Sequence, residues 1–287
     1  MNKKIAIVTD STSDLRSEEL EELGIESLPL KVIYDNKQFQ DRVDIQPAEV
    51  YEKLEEEIPT TSMPSPKEIK ETYSKLKDKG YTHIISIHIS KGLSATYNNC
   101  KMVAEQMEDL TIEVIDSKML SKGLGRLVLY AQKLVDKGED NFEEIIEKIE
   151  EKKDKIEVYF VVKTLKYLKE GGRIGKVAGT IAQLLNIKPI ISIDDDGEYF
   201  TFDKIRGRSR SLDKMFSIIK DRLKEDKNYL LDVVNAAAEE EASKLKNKFE
   251  GLDSIKEIFL GEISPVMIVH TGPGLIGVVL TEMDDKN

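Results

Sequence analysis

IAIVTDSTSDLRSEELEELG, Ile5 to Gly24, sets the pattern from which the fold of the first half follows. Ile5 to Thr9 is a short apolar run of strand length. It passes into Asp10-Ser11-Thr12-Ser13-Asp14, and Asp14 to Leu23 then carries helical periodicity up to Gly24, a residue suited to ending a helix. The same unit recurs downstream. Leu28 to Tyr34, Ile84 to Ile89 and Ile112 to Ile115 read as strands, and Pro66 to Lys79 reads as a helix between an N-cap serine, Ser65, and Gly80. Strands alternating with helices predict βα units and a mostly parallel sheet flanked by helices.

After the charged helical stretch Asn141 to Lys155 the pattern changes. Ile156 to Val162 is followed by a Gly-rich segment, and Pro189 to Ile193 faces Tyr199 to Phe202 across Asp194-Asp195-Asp196-Gly197, which reads as a hairpin rather than a calcium loop because no further oxygen ligands follow at fixed spacing. The remainder predicts helices over Ser209 to Lys224 and Glu239 to Phe249, and strands over Tyr229 to Val234, Ile255 to Leu260, Val266 to Val269 and Ile276 to Thr281. The expectation is a two-domain α/β chain. Residues 1–155 form an α/β domain with a mostly parallel sheet, and residues 156–287 form an α/β domain with a mixed or antiparallel sheet.

Composition narrows the function. The 287 residues are 34% charged and their mean hydropathy is −0.37, with no apolar run near the roughly 18 residues a membrane span needs. The basic start MNKK leads into an apolar stretch too short for a secretory signal, so a cytoplasmic location is expected. One cysteine, Cys100, forms no disulfide framework, and with only His83, His88 and His270 besides, no zinc ligand set is visible. A net charge of −11 disfavours nucleic acid as a partner.

Three strands run into hydroxyl-bearing loops: Asp10 to Asp14, Ser90 to Thr96, and Asp116-Ser117. A fourth loop, Thr60 to Ser65, precedes a helix. At the carboxyl ends of parallel strands such groups suit a carboxylate or phosphate oxygen. Ser13, Ser65 and Ser117 are each accounted for singly as helix caps worth about 1 kcal/mol. Thr61 and Ser94 have neighbours (Ser65, or Ser90 and Thr96) available to cap in their place, which leaves both roles open for them. His270 precedes Thr271-Gly272-Pro273-Gly274 and reads either as a ligand contact or as a histidine hydrogen-bonded at a strand end. Gly272, Gly274 and Gly277 spell GxGxxG, but the following Val278 to Leu280 continues as strand, so the dinucleotide reading fails its context; no Walker A sequence is present either. Lys204, Arg206, Arg208, Arg210 and Lys214, together with Arg173 of Gly171 to Gly175, are conspicuous in an acidic chain. They read as a solvated strand-to-helix connection or as a docking patch for an acidic partner or a phosphorylated ligand.

Six blocks in order, VTDSTSDL (Val8 to Leu15), TTSMPSP (Thr60 to Pro66), SKGLSATY (Ser90 to Tyr97), VIDS (Val114 to Ser117), LKYLKEGGRIG (Leu165 to Gly175) and VHTGPGLIG (Val269 to Gly277), resemble the DegV family, whose members include the FakB-type fatty-acid-binding subunits of bacterial fatty acid kinase. Met63, Lys91 and Ala95 depart from the usual Gln, small residue and Gly of that pattern. The resemblance implies a two-domain carrier without its own ATP site, cofactor or catalytic residues. It further implies a long-chain fatty acid buried in a tunnel between the domains, its carboxylate held by Thr61 or Ser62, Ser94 and His270. A separate kinase subunit, FakA-type, would then make an acyl phosphate for phospholipid synthesis, with Arg173 and Arg206 facing the kinase or the phosphate. Two other readings stand beside it: a serine hydrolase or acyltransferase using Ser94 and His270, and a protein-binding adaptor using the basic segment.

Overall fold

The computed structural model describes residues 3–35, 37–138, 141–181 and 187–284. It begins with β1 (Ile5–Asp10), whose six residues are all buried. A 3-10 turn at Ser11–Ser13 follows. Asp14 then takes a left-handed backbone, φ 53°, so the helix expected from Asp14 starts only at Ser17, as α1 (Ser17–Leu23), and ends at left-handed Gly24. The strand expected over Leu28 to Tyr34 is two strands, β2 (Glu26–Leu28) and β3 (Lys31–Tyr34). Pro29 lies between them, and proline has no N–H to give to a ladder. Then come β4 (Lys37–Gln40), α2 (Pro47–Lys53) and β5 (Thr60–Ser62). α3 (Pro66–Asp78) opens with a reciprocal capping box: Ser65 Oγ accepts the Glu68 N–H, and the Glu68 carboxylate accepts the Ser65 N–H at 2.8 Å. β6 (His83–His88), α4 (Thr96–Ala104), β7 (Thr111–Asp116), α5 (Ser121–Asp136) and α6 (Phe142–Lys153) complete the first half.

The second half runs through β8 (Ile156–Val161), α7 (Lys166–Glu170), α8 (Ala178–Ile181), β9 (Ile187–Ile193), β10 (Tyr199–Arg206), α9 (Arg208–Arg222), β11 (Tyr229–Asn235), α10 (Glu239–Phe249), β12 (Ile255–Glu262), α11 (Pro265–Thr271) and β13 (Ile276–Glu282). The stretch Val266 to Val269, expected as strand, is helix α11. Ser264 and Pro265 supply the N-cap and N1 residues, and Val266 to Val269 are buried on every side, which removes the polar alternation that separates strand from helix. The acidic hairpin turn forms as expected, with the Gly197 N–H on Asp194 O at 2.8 Å and Gly197 at φ 80°. Its carboxylates gather on an ammonium: Lys176 Nζ lies 2.5 Å from Asp194, 3.2 Å from Asp196 and 3.4 Å from Glu198.

The chain divides into two units, residues 1–45 with 61–154, and residues 46–60 with 155–287. The segment 46–60 therefore groups with the later half, which a single boundary near residue 155 does not convey. In the first unit a four-stranded, all-parallel sheet has the order β2-β1-β6-β7. Its core packs Ala6, Val8 and Ile84 of the sheet against Ile69, Tyr73 and Leu76 of α3 and Cys100 and Val103 of α4. A smaller sheet has the order β4-β3-β5. In the second unit a six-stranded sheet, β10-β9-β8-β13-β11-β12, is antiparallel except for β11 and β12. Its core joins Tyr159, Val161, Leu231, Val233 and Val278 to Met215 and Ile219 of α9 and Leu245 and Phe249 of α10.

Gly125 of α5 fixes how closely that helix approaches the turn after β1, since a Cβ there would lie 2.5 Å from the Ser13 carbonyl oxygen. In an open helix Gly→Ala stabilises by about 1 kcal/mol. Here the clash with backbone outweighs that gain, and Gly125→Ala is expected to lower stability by about 1 to 2 kcal/mol in urea denaturation.

Candidate functional site

In the parallel sheet the chain leaves β1 toward β2 on one side and returns to β6 and β7 on the other. The gap between the carboxyl ends of β1 and β6 is therefore the topological switch point, where open α/β sheets bind ligands. The loops after β1, β6 and β7 are those singled out for their hydroxyls, and most of these hydroxyls are committed within the protein. Ser11 Oγ accepts the Leu30 N–H at 3.1 Å. Thr12 bonds Asp10 through both its N–H and its hydroxyl. Ser90 Oγ accepts the Gly92 N–H, and Ser117 Oγ accepts the Met119 N–H. Ser65 is a true helix cap. Ser13 sits inside the 3-10 turn, whose cap is Asp10.

Ser94 is half-buried, with its Oγ 2.8 Å from the Thr96 hydroxyl and accepting the Thr96 N–H at 3.3 Å. It therefore stands at the first turn of α4. Thr61 and Ser62, on β5, are also half-buried. Their loop is tied to the same helix, because Asn99 Nδ2 of α4 donates to Pro64 O at 2.8 Å. The structure thus brings the TTSMPS and GLSATY segments to the N-terminal turn of α4. What gathers there is partly exposed hydroxyls beside a helix N-terminus, chemistry suited to an anionic oxygen.

His270, Arg173 and Arg206 belong to the second unit. His270 occupies the last turn of α11. Gly171 makes room for it, since a Cβ there would lie 2.2 Å from His270 Nδ1. Gly272, at φ 69°, likewise leaves room for the Tyr167 ring, which a Cβ would meet at 2.1 Å. Burial and the nearby Arg173 guanidinium push the His270 imidazole down to about 4, so it is neutral near pH 7. Arg173, held by donation from Nη1 to Gly171 O at 2.8 Å, also acts on Tyr199, whose phenol burial pushes up and Arg173 pulls down. Arg173, His270 and Tyr199 form one electrostatic group. Arg206 does not join it: Tyr199 begins β10 and Arg206 ends it, roughly 20 Å along the strand. Arg206 and Arg210 are exposed and have no acidic partner among the described residues, whereas Arg208 is spent on a bidentate pair with Glu241 of α10 at 2.8 to 3.0 Å.

Sequence reading missed Asp10 and His88. Both are fully buried, and His88 Nδ1 lies 3.0 Å from Asp10 Oδ2. Burial alone would lower the His88 imidazole, but Cys100 and the Asp10 carboxylate outweigh it and raise it to about 10. The available signal was positional, since each is the polar last residue of a buried parallel strand. Among the described residues no group of His, Cys, Asp and Glu could hold a metal ion, and no helix is long and apolar enough to cross a membrane.

A parallel α/β unit with Ser/Thr loops at its switch point, followed by a mixed-sheet α/β unit with a histidine beside a glycine-rich arginine loop, defines a two-unit α/β class of protein. The DegV family model matches residues 4–283, and the chain belongs to the DegV family. A DegV domain-containing protein of Clostridium acetobutylicum is 46% identical over 281 residues, spanning 98% of this chain and 99% of that protein. DegV of Bacillus subtilis, a fatty acid binding protein, has a TM-score of 0.91 at 28% identity over 98% of this chain and 100% of its own. A stearic-acid-binding protein from Eubacterium ventriosum has a TM-score of 0.85 at 29% identity, covering 96% of this chain and 98% of its own.

The His270 ring titrates near 6.5 when unfolded and about 4 when folded. Between those values the unfolded chain binds more protons, so this contribution to stability is complete above about pH 6.5 and is lost as pH falls toward 4. The full about 1.4 kcal/mol per pH unit is discounted for partial exposure, leaving about 2 kcal/mol. Urea denaturation at pH 7.5 and pH 4.5 is expected to show that much less loss in His270→Gln than in the unsubstituted chain.

Proposed function

We propose that this chain carries one long-chain fatty acid, whose carboxylate is held by the hydroxyls of Thr61, Ser62 and Ser94 and by neutral His270. The observation that carries the reading is the meeting of the Thr61-Ser62 and Ser94 segments at the first turn of α4. Whole-chain similarity to the fatty-acid-binding proteins of B. subtilis and E. ventriosum supports it. Neutral donors bind a carboxylate with directional hydrogen bonds, and Arg173 supplies positive charge close to His270. Most of the affinity comes from the tail. At about 0.8 kcal/mol per buried CH₂, a chain of about 15 methylenes contributes roughly 12 kcal/mol before the costs of binding are counted.

The carrier works in the cytoplasm and presents the carboxylate to a separate ATP-dependent fatty acid kinase subunit, which forms the acyl phosphate used in phospholipid synthesis. The chain itself contributes no nucleotide motif and acts as a substrate-presenting subunit. Arg173, beside His270, serves the head group, while Arg206 and Arg210, at the far end of β10, serve the kinase. In a hydrolase Ser94 would need activation by an imidazole, whereas its hydroxyl is engaged with Thr96.

Protein purified from a bacterial host and extracted with solvent is expected to release one equivalent of C16 to C18 fatty acid, identified by mass spectrometry. Lipid-free protein that also fails to bind oleate or palmitate would overturn the reading, and serine labelling by a fluorophosphonate would favour the hydrolase. His270→Ala is expected to weaken fatty-acid retention about tenfold with the fold intact, whereas Arg206→Ala retains fatty acid and loses turnover by the kinase. Equal lipid loss in both variants contradicts this division of roles.

A further inference from the structure

The Asp10 carboxylate is the most heavily engaged polar group at the switch point. Oδ1 accepts the Thr12 N–H at 3.0 Å and the Thr12 hydroxyl at 2.5 Å, while Oδ2 accepts the Ile89 N–H at 3.0 Å and faces His88 Nδ1 at 3.0 Å. These four donors come from the ends of both strands that flank the gap and fill the acceptor capacity of a carboxylate. From His88 the chain of contacts continues inward, to Ser86 Oγ at 2.7 Å and on to Tyr73 OH at 2.8 Å.

Asp10, His88 and Ser86 repeat the order of contacts in a catalytic triad, but all three are fully buried and Ser86 is also bonded to Tyr73, so no substrate can reach the hydroxyl. The outward end of the network is what leads to the ligand loop. Ile89, fixed by Asp10, is followed by Ser90, whose N–H bonds Met119 O at 2.9 Å. The Ser90 carbonyl in turn accepts the Ser94 N–H at 3.0 Å. Two hydrogen bonds, joined by the Ile89–Ser90 peptide and braced by the Ser90 N–H on Met119 O, therefore run from the Asp10 carboxylate to the backbone of Ser94.

We propose that Asp10, bonded by His88, is a positioning residue for Ser94 that sets the Ser90 to Thr96 loop so that the Ser94 hydroxyl meets the ligand carboxylate. The role rests on the reading of Ser94 as a carboxylate contact. Removing the Asp10 charge leaves the Ile89 N–H, the Thr12 N–H and the His88 ring competing for a weaker acceptor in a buried site. The loop then loses its fixed register while the apolar core beneath it is untouched.

A double-mutant cycle on the delipidated full-length chain, with oleate as the probe and calorimetry as the readout, tests this. Asp10→Asn and Ser94→Ala are each expected to weaken oleate binding about tenfold, and the double variant to bind no more weakly than Ser94→Ala alone. A purely structural role would lower Tm in both backgrounds and leave the affinity of the folded protein unmoved. Unchanged affinity in Asp10→Asn, or losses that multiply to about a hundredfold in the double variant, overturn the proposal. His88→Asn keeps an N–H near the Nδ1 position and is expected to bind oleate within about threefold of the unsubstituted chain. His88→Leu is expected to lose as much as Ser94→Ala and to lose nothing more in the Ser94→Ala background. Equal affinities of the two His88 variants also overturn it, and this pair decides the matter if Asp10→Asn does not fold. Failure of the unsubstituted chain to bind oleate, read before any substitution, overturns the carrier reading and this role with it.

Discussion

The order β2-β1-β6-β7 puts β1 between two crossovers that leave it in opposite directions, and this reversal organises the first unit. Helices packed on the sheet cannot close over the gap where the crossovers diverge, so the loops at the carboxyl ends of β1 and β6 must hold that opening in shape themselves. The chain does this with carboxylates. Asp10 gathers Thr12, His88 and Ile89; Asp14 takes the Ser121 hydroxyl at 2.5 Å; and Asp116 accepts the Lys91 and Lys118 N–H groups at 3.2 and 3.1 Å. Each acidic side chain fastens one strand end to the next. Gly125 lets α5 close against the same turn.

This fastening separates two kinds of hydroxyl that look alike in the sequence. Ser11, Thr12, Ser90 and Ser117 lie within the fastened loops and spend their hydrogen bonds there. Thr61, Ser62 and Ser94 lie one step further out, where α4 begins, and keep partial exposure. A scaffold that commits most of its inner hydroxyls to its own loops can present outer ones in a fixed direction.

The alternation of strands and helices was legible because buried parallel strands are short apolar runs and their helices carry N-cap serines and terminal glycines. β1, β6, β7, β11 and β13 fall close to where the pattern puts them. The departures have local and contextual causes. Pro29 divides one apolar run into two strands; Asp14 adopts a left-handed backbone because its carboxylate is held by Ser121 and lies 3.5 Å from Arg42; and Val266 to Val269 are helical because burial on all sides erased their periodicity. The membership of 46–60 in the second unit has no local signature at all, since it is a property of long-range contacts. At the candidate site, Ser94, Thr61 and His270 were visible as residue types in loops. The Asp10 and His88 pair was not, because its partners lie 78 positions apart in sequence.

To the carboxylate proposed as ligand, a chain of net charge −11 presents an unfavourable field, yet that field is a weak obstacle in salt. Charges beyond about 8 Å are largely screened at physiological ionic strength, so the local environment decides. The first unit offers the N-terminal turn of α4 and hydroxyl donors, and the second offers a neutral imidazole and one guanidinium. In the head-group role proposed for it, a neutral His270 is the better partner than a protonated one. A permanent imidazolium beside the Arg173 guanidinium would place two cations together in a partly buried site, and burial with that neighbouring charge holds the imidazole down to about 4 instead.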